Sequence, residues 1–583
     1  MTKIKLGTTI YKKFVDFALW LPDATDVTLI LDNADFSAQE FAMMAENDIW
    51  TLRLKEAKIG MAYQYRAQLS DGTTKVFSDP RAHQLSSADG KGIIADTTFD
   101  WGDDEDFVPP PTESQAIYEL HIGTFNQPDQ ATPGTFFTAI EKLDYLQDLG
   151  VNMIEILPVT SMLDGFGWGY APIGLFAVEE NYGGPHGLKE FVKAAHQRGM
   201  GVIIDIVYNH MHPYCNLPEA YFFTDGLRDT PWGPRLNYTR PEVQDFMTDN
   251  IAMWLSDYRA DGMRLDFTVG VRQIDMSYDD LQHEIPGGWQ ILQELTRVAH
   301  HTKPRARIIA EDNGANNYLT KNTRAGGAGF DAQWNVEWPR ALDVALGTTG
   351  GPGNFGDLIN EMNRYYNGDF LEKIVYAESH DTAALANGNR RIARDFNPEN
   401  PAAPNARAMT ILAGALTLTA PGAPMMFQGQ EMVSRDGWSA QDPLDWRDAE
   451  KFGGIVEAHR HLIALRRNIY GGTGGLCENS WYEVLRDETY KVLVYQRGDV
   501  QPVVVIANFS GVKISNYRFP QLANIACQPS ADGQLCDEQE WEVRFNSSWK
   551  GYSPDFAEVK IDTIKAGDEV DLPPYVVLIL TKV

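Results

Sequence analysis

The sequence predicts an α/β protein built on a (β/α)8 TIM barrel, with an N-terminal β-sandwich domain and a C-terminal antiparallel β domain. Three observations predict this. From residue 116 to about 470, eight apolar runs of strand length alternate with amphipathic helical segments, the pattern of a parallel sheet closed into a ring. Ahead of it, residues 1–112 alternate apolar and polar positions in short runs divided by turn residues, as a small sandwich does. After about residue 475 the helical period stops and strand-like runs return. At 583 residues the chain exceeds what one hydrophobic core organises, so two or three domains are expected.

In chain order, FVDFALWLP, DVTLILD, DIWTLRL and MAYQYRAQL are the sandwich strands. In the following WGDDEDFVPPPTES, Pro109-Pro110-Pro111 makes a stiff linker and the cluster Asp103-Asp104-Glu105-Asp106 reads as solvated. The barrel, residues 113–470, opens with AIYELHIGTF and the helix FFTAIEKLDYLQDLG. VNMIEILPV then leads to GLKEFVKAAHQRG, and GVIIDIVYN leads, after a short excursion at about 210–240, to EVQDFMTDNIAMWLSDYRA. GMRLDFT precedes ILQELTRVAHH. RIIAEDN, AGFDAQWNVEW, EKIVYAESH and APMMFQGQE complete the ring, with ARAMTILAGALTLT and IVEAHRHLIALRRN as late helices. Gly150 and Gly199 stand where helix C-caps belong. Residues 471–583 supply SWYEVLRD, KVLVYQRG, PVVVIANFS and YVVLILTKV as strands of a second β domain.

A formal net charge of −30 argues against nucleic acid and anionic membrane as partners, because a negative field repels both; a neutral sugar is compatible with it. The four cysteines, Cys215, Cys477, Cys527 and Cys536, fit no zinc spacing and make no disulfide scaffold, though a Cys527–Cys536 bridge stays open. Asp16 interrupts the run FVDFALWL, which reads as a strand rather than a signal peptide. The longest apolar candidate, AGALTLTAPGAPMMF, is broken by Pro421, Gly422 and Pro424 and is too short to span a bilayer. A soluble cytoplasmic protein is expected.

Several barrel strands end in charge after an apolar run. GVIIDIVYNH ends at Asp205, Asn209 and His210, GMRLDFT at Arg264 and Asp266, RIIAEDN at Glu311 and Asp312, and KIVYAESHD at Glu378, His380 and Asp381. Arg264 and Asp266 are two apart, so on a strand both face the same side. Trp168 and Tyr170 follow the second strand. In a (β/α)8 barrel the C-terminal strand ends converge on one rim, and this set is one for carboxylate chemistry. Two facing carboxylates are the apparatus of a retaining glycosidase, one ionised as nucleophile and one proton-bearing as acid/base. Arg264 beside Asp266 is expected to lower the aspartate's pKa and assign it the nucleophile's part, leaving Glu311 as acid/base. Taken singly, each of these residues reads as readily as a structural ion pair, a capping acid or a core aromatic; their joint placement favours a site.

GVIIDIVYNH, DGMRLDFT, IIAED and AESHD stand in the order, and on the kinds of strand, of the four signature segments of the α-amylase superfamily, glycoside hydrolase family 13, which the chain resembles from about residue 113 to 470. The resemblance implies a retaining enzyme acting on α-glucans, with Asp266 as nucleophile, Glu311 as acid/base and Asp381 as the third carboxylate gripping sugar hydroxyls. It implies that Arg264, His210 and His380 line the reacting-sugar subsite with Trp168 nearby, that Tyr170 is the aromatic platform and that Asp205 supports the arginine. The N-terminal sandwich and YELHIGTF are similar to branching enzymes, isoamylases and maltooligosyltrehalose trehalohydrolases; DAQWN resembles the trehalohydrolases, AESHDTAALANGN the branching enzymes. Where many secreted α-amylases carry a lysine and a calcium-holding histidine after the nucleophile, this sequence has Val269 and Gly270, so neither metal nor cofactor is expected. Hydrolysis is the leading expectation; branching transfer, trehalohydrolase action and a non-catalytic glucan-binding protein are the alternatives.

Overall fold

The computed structural model describes residues 4–583 apart from 33–37, 130, 164–166, 276–282, 314, 349–352, 435 and 526–538. The eight apolar runs pair in parallel, each with the next, and the last with the first, into a closed barrel. Its strands are β1 (Ile117–Leu120), β2 (Met153–Ile156), β3 (Gly201–Val207), β4 (Gly262–Asp266), β5 (Arg307–Ala310), β6 (Ala332–Trp334), β7 (Lys373–Tyr376) and β8 (Ala423–Phe427). Nearly every residue of these strands is buried, because helices cover the outer face and side chains fill the inside. The interior is layered. Ile117, Met153, Ile203, Ile309, Ala332, Ile374, Ala423 and Met425 form an apolar floor. On β3 and β4, two residues further along, the inward positions pass to Asp205 and Arg264, which are level with each other.

Some elements differ from expectation. The first helix is two, Phe136–Ile140 and Leu143–Leu149, divided near Lys142, and the second ends on Gly150 in the left-handed region as expected. Gly199 has positive φ but lies beyond the cap, which is Gln197. The acidic linker is only partly solvated. Asp104 is 3% exposed at its side chain, accepts from His196 Nδ1 (2.7 Å) and pairs with Arg259 (2.8 Å). Phe107 stacks on the His196 ring at 3.9 Å. The linker is thus fastened to the barrel: Asp104 gives His196, whose Nε2 already bonds Asp261, a second carboxylate, and gives Arg259 its nearest one.

The N-terminal strands form two antiparallel sheets, one containing Phe14–Trp20 and Ile49–Leu54, the other Ala24–Asp32 and Ala62–Leu69. Alternate residues meet between them: Val15, Phe17 and Leu19 share a core with Val27, Leu29, Leu31, Tyr63 and Tyr65. At the other end, a six-stranded antiparallel sheet contains all four expected strands. Its Val503–Asn508 strand is buried throughout, since Val503, Val505 and Ala507 join the barrel's core while Val504 and Ile506 face a second core with Leu572. That double burial explains why PVVVIANFS reads as an unbroken apolar run. Cys215 and Cys477 are free thiols, and Cys527 and Cys536 lie outside the described residues. Among the described residues no helix is long and apolar enough to cross a membrane.

Candidate active site

Arg264 organises the C-terminal mouth of the barrel. It is fully buried, and Nη1 lies 2.7 Å from Asp205 Oδ2 and 2.9 Å from Asp266 Oδ1. Nη2 lies 2.9 Å from Glu311 Oε2, although it is not aligned there as a hydrogen bond. The strand register explains the gathering. Leu265 pairs with Ala310, so Asp266 and Glu311, one position further on, stand level on neighbouring strands. Strands in a sheet lie about 4.8 Å apart. The two acids keep 13% and 11% of their side-chain surface open, so a ligand in the mouth can reach both.

Phe267, next to Asp266, has φ 43° and ψ 54°, a left-handed conformation that costs a non-glycine residue free energy. In that conformation its N–H donates to Glu311 Oε2 at 2.8 Å. Asn209 donates from Nδ2 to Asp266 Oδ2 at 2.7 Å and, through Oδ1, accepts from His210 Nδ1. Tyr170 donates its hydroxyl to Asp205 and stacks on His380 with ring centroids 5.0 Å apart. Trp168 meets the same imidazole edge-on at 5.8 Å. Gly169 between them has φ 91°, and a Cβ there would fall 2.4 Å from the Pro158 carbonyl, so the turn that sets both aromatics needs glycine. His380 donates from Nδ1 to the buried Glu119, and its Nε2 is 3.5 Å from Asp381 Oδ2. Asp381 is 43% exposed and accepts from Asn387 Nδ2 at 3.2 Å.

Every residue expected in the site is therefore joined to it through contacts; His210 is linked through Asn209 rather than directly to Arg264. Glu378 and Asp312 are engaged elsewhere, with Arg391 and with Arg272. Sequence reasoning missed Glu119, Phe267, Trp334, whose ring lies 4.3 Å from the Arg264 guanidinium carbon, and Asn387. It placed Asn209 at a strand end without giving it a part in the site. Glu119 carried a readable signal, a carboxylate inside the apolar run of a barrel strand.

Burial dominates the electrostatics. It pushes Glu311 up to about 7 against the pull of Arg264, with Asp266 and Asp381 adding to the rise. Asp266 is also raised: burial, with Asp205 and Asp381, outweighs Arg264 and Asn209. Arg264 does pull it down, as expected, but the expectation of a net lowering is corrected, because one guanidinium is shared among several acids in a desolvated site. Burial alone would depress His380, but Asp381 and Glu119 lift it to about 9, so it is a cation. Burial drops His210 to about 4, so it is neutral. Burial, with Glu119 and Asp205, raises Glu155 well above the carboxylate range. Among the described residues no cluster of three His, Cys, Asp or Glu is arranged to hold a metal ion. A Cβ at Gly270 would meet the Phe267 ring at 2.8 Å, so a side chain there would require that ring to shift.

The family model "Alpha amylase, catalytic domain" matches residues 119–222 and 218–462. The chain belongs to the α-amylase family. Its first strands match "Carbohydrate-binding module 48 (Isoamylase N-terminal domain)" over residues 5–82. Among α-amylase-family relatives, the malto-oligosyltrehalose trehalohydrolase of Rhizobium sp. (strain M-11) is 30% identical over 86% of this chain and 91% of its own length. The 1,4-alpha-glucan branching enzyme of Corynebacterium diphtheriae is 26% identical over 92% of this chain and 77% of its own. The pullulanase of Bacillus acidopullulyticus shares the fold, with a TM-score of 0.75 at 20% identity, over 99% of this chain and 75% of that one.

Proposed function

We propose that this α-amylase-family enzyme, which acts on α-glucans, is a retaining hydrolase of α-1,4-linked chains working in the cytoplasm. One observation carries the reading: Asp266 and Glu311 stand level on adjacent strands, share one guanidinium and are both open to the mouth. Retaining glycosidases hold their two carboxyls roughly 5–5.5 Å apart, which adjacent strands supply. Asp266 attacks C1 of the bound glucosyl unit while Glu311 gives its proton to the departing glycosidic oxygen. Glu311, now a carboxylate, takes a proton from water; the water oxygen attacks C1 and the bond to Asp266 breaks. A Glu311 pKa of about 7 suits a group that must be acid in one step and base in the next. Asp381, with cationic His380 behind it, holds sugar hydroxyls, and Tyr170 supports the ring. Domain limits of 1–112, 113–470 and 471–583 belong to the same proposal.

A second reading is branching transfer, in which another chain's 6-hydroxyl replaces water; the branching-enzyme relative aligned over 92% of the chain favours it. The trehalohydrolase relative favours release of trehalose from a trehalose-capped maltooligosaccharide. Incubation with amylose and with maltooligosyltrehalose separates the three. New reducing ends from amylose support hydrolysis. Loss of iodine colour with new α-1,6 linkages and no new reducing ends replaces it with branching, and free trehalose from the capped substrate alone replaces it with trehalohydrolase action. Asp266→Asn should lower turnover by at least about 10³-fold while leaving the unfolding midpoint near that of the parent; a variant that retains turnover refutes the nucleophile assignment.

A further inference from the structure

Two carboxyls stand side by side beneath the site. Glu119 on β1 and Glu155 on β2 pair in register, and both point into the barrel, since Ile117 and Met153, two positions earlier, lie in the apolar floor. Both are buried. Their surroundings differ. Glu119 accepts from the His380 backbone N–H at 3.0 Å and from His380 Nδ1, so it faces a cation. Among the described residues, neither oxygen of Glu155 has a hydrogen-bond partner. Like charges level on adjacent strands repel strongly in a desolvated interior, so the proton belongs to the acid without a cation. The groups facing Glu155 agree: burial, Glu119 and Asp205 raise its pKa and outweigh the pull of Arg264 and His380. Arg307, a further cation in reach, stands two positions before Ile309 of the floor and donates to Gln115 and the Leu371 carbonyl.

A buried acid O–H needs an acceptor, and one is open on the next strand. Asp205 lies two positions beyond Ile203, the β3 residue that pairs with Glu155. Its Oδ2 accepts from both Arg264 and Tyr170, while its buried Oδ1 has no partner among the described residues. Arg264 shows the matching surplus, with Nε and Nη2 lacking an aligned acceptor. Left to themselves, the two would close these gaps on each other as a two-pronged pair, the favoured geometry of guanidinium and carboxylate. We propose that Glu155 is a positioning residue: its acid O–H, directly or through one buried water, occupies Asp205 Oδ1, keeps Asp205 from gripping Arg264 with both oxygens, and so reserves the guanidinium for Asp266 and Glu311. This rests on the retaining mechanism above. Only a neutral acid can act so, since a charged one would repel Asp205 and hinder ionisation of the nucleophile. A polar pocket closed below by an apolar floor also suits a bridging water.

Glu155→Gln keeps a neutral donor, and Glu155→Met keeps the volume without one. An infrared difference spectrum of wild type minus Glu155→Gln, taken near neutral pH, should show the carbonyl band of a protonated carboxylic acid. Its absence overturns the proposal and, because no substrate is present, leaves the retaining mechanism standing. On whichever of amylose and maltooligosyltrehalose the enzyme turns over, Glu155→Gln should keep kcat/KM within about threefold and leave both limbs of the pH profile in place. Glu155→Met should lower kcat at least about tenfold with KM within about twofold, and should move the acidic limb, which Asp266 sets, to higher pH by about half a unit or more. An acidic limb that Glu155→Met leaves in place, or one that Glu155→Gln displaces as far, overturns the positioning role. Should Glu155→Met fail to fold, the band and the Glu155→Gln profile decide: a missing band or a displaced limb overturns the proposal. Wild-type protein that turns over neither substrate overturns the retaining mechanism and the role with it, a result distinct from a missing band.

Discussion

Arg264 is the residue on which the site turns, because a fully buried guanidinium flanked by Asp205, Asp266 and Glu311 fixes where three acids stand. The same burial predicts the pH dependence. Glu311 must carry a proton to act as acid, so kcat/KM falls as pH rises through about 7. Asp266 must be ionised, and its raised pKa moves the acidic limb above the ordinary carboxylate value of 3.8. A pH series on a soluble maltooligosaccharide should therefore give a bell; a profile flat from about pH 6 to 9 would contradict the Glu311 role. Arg264 and Asp266 were legible as anomalies, charges two apart on an apolar strand. The direction of the Asp266 shift was not, since it depends on how many acids share the arginine and how much water is left.

Elements hold this geometry through contacts distant in sequence. The acidic linker illustrates it, with Asp104 bridging His196 and Arg259. For His196, burial opposes charging but its hydrogen bonds to Asp104 and Asp261 win, so its pKa lies above 6.5 in the fold; that stability is fully present below 6.5 and lost as pH rises through the folded value. Burial likewise opposes the charged form of Asp104, but His196 and Arg259 lower it, so its contribution is present above 3.8 and lost as pH falls through the folded value. The bridge is strongest between those limits. Asp104→Asn should cost on the order of 1.5–3 kcal/mol near pH 5, and less near pH 9, in urea unfolding. A cost independent of pH would show that His196 does not take part. All eight barrel strands were readable from alternation, because burial on both faces leaves apolar runs. The linker's attachment was not, since His196 and Arg259 lie 92 and 155 positions from Asp104 in sequence, and charge runs usually face water.

At the scale of the whole molecule, the charge of −30 surrounds a site meant for a neutral ligand. A negative field neither draws in nor repels a neutral glucan, so kcat/KM should stay within about twofold as salt rises from roughly 0.02 to 0.3 M, a range over which screening changes strongly. A steep salt dependence would point to a charged substrate. The sequence by itself determined the strand order of the barrel, the two flanking β layers and the identities of the acids at the rim, because alternation and strand-end charge are local properties of the chain. Only the tertiary structure decided that Phe267 turns left-handed to hold Glu311, that Glu119 carries His380 and that Asp104 is buried. Those arrangements join residues tens to hundreds of positions apart, and their energies arise from shared partners and excluded water, which exist only once the ring has closed.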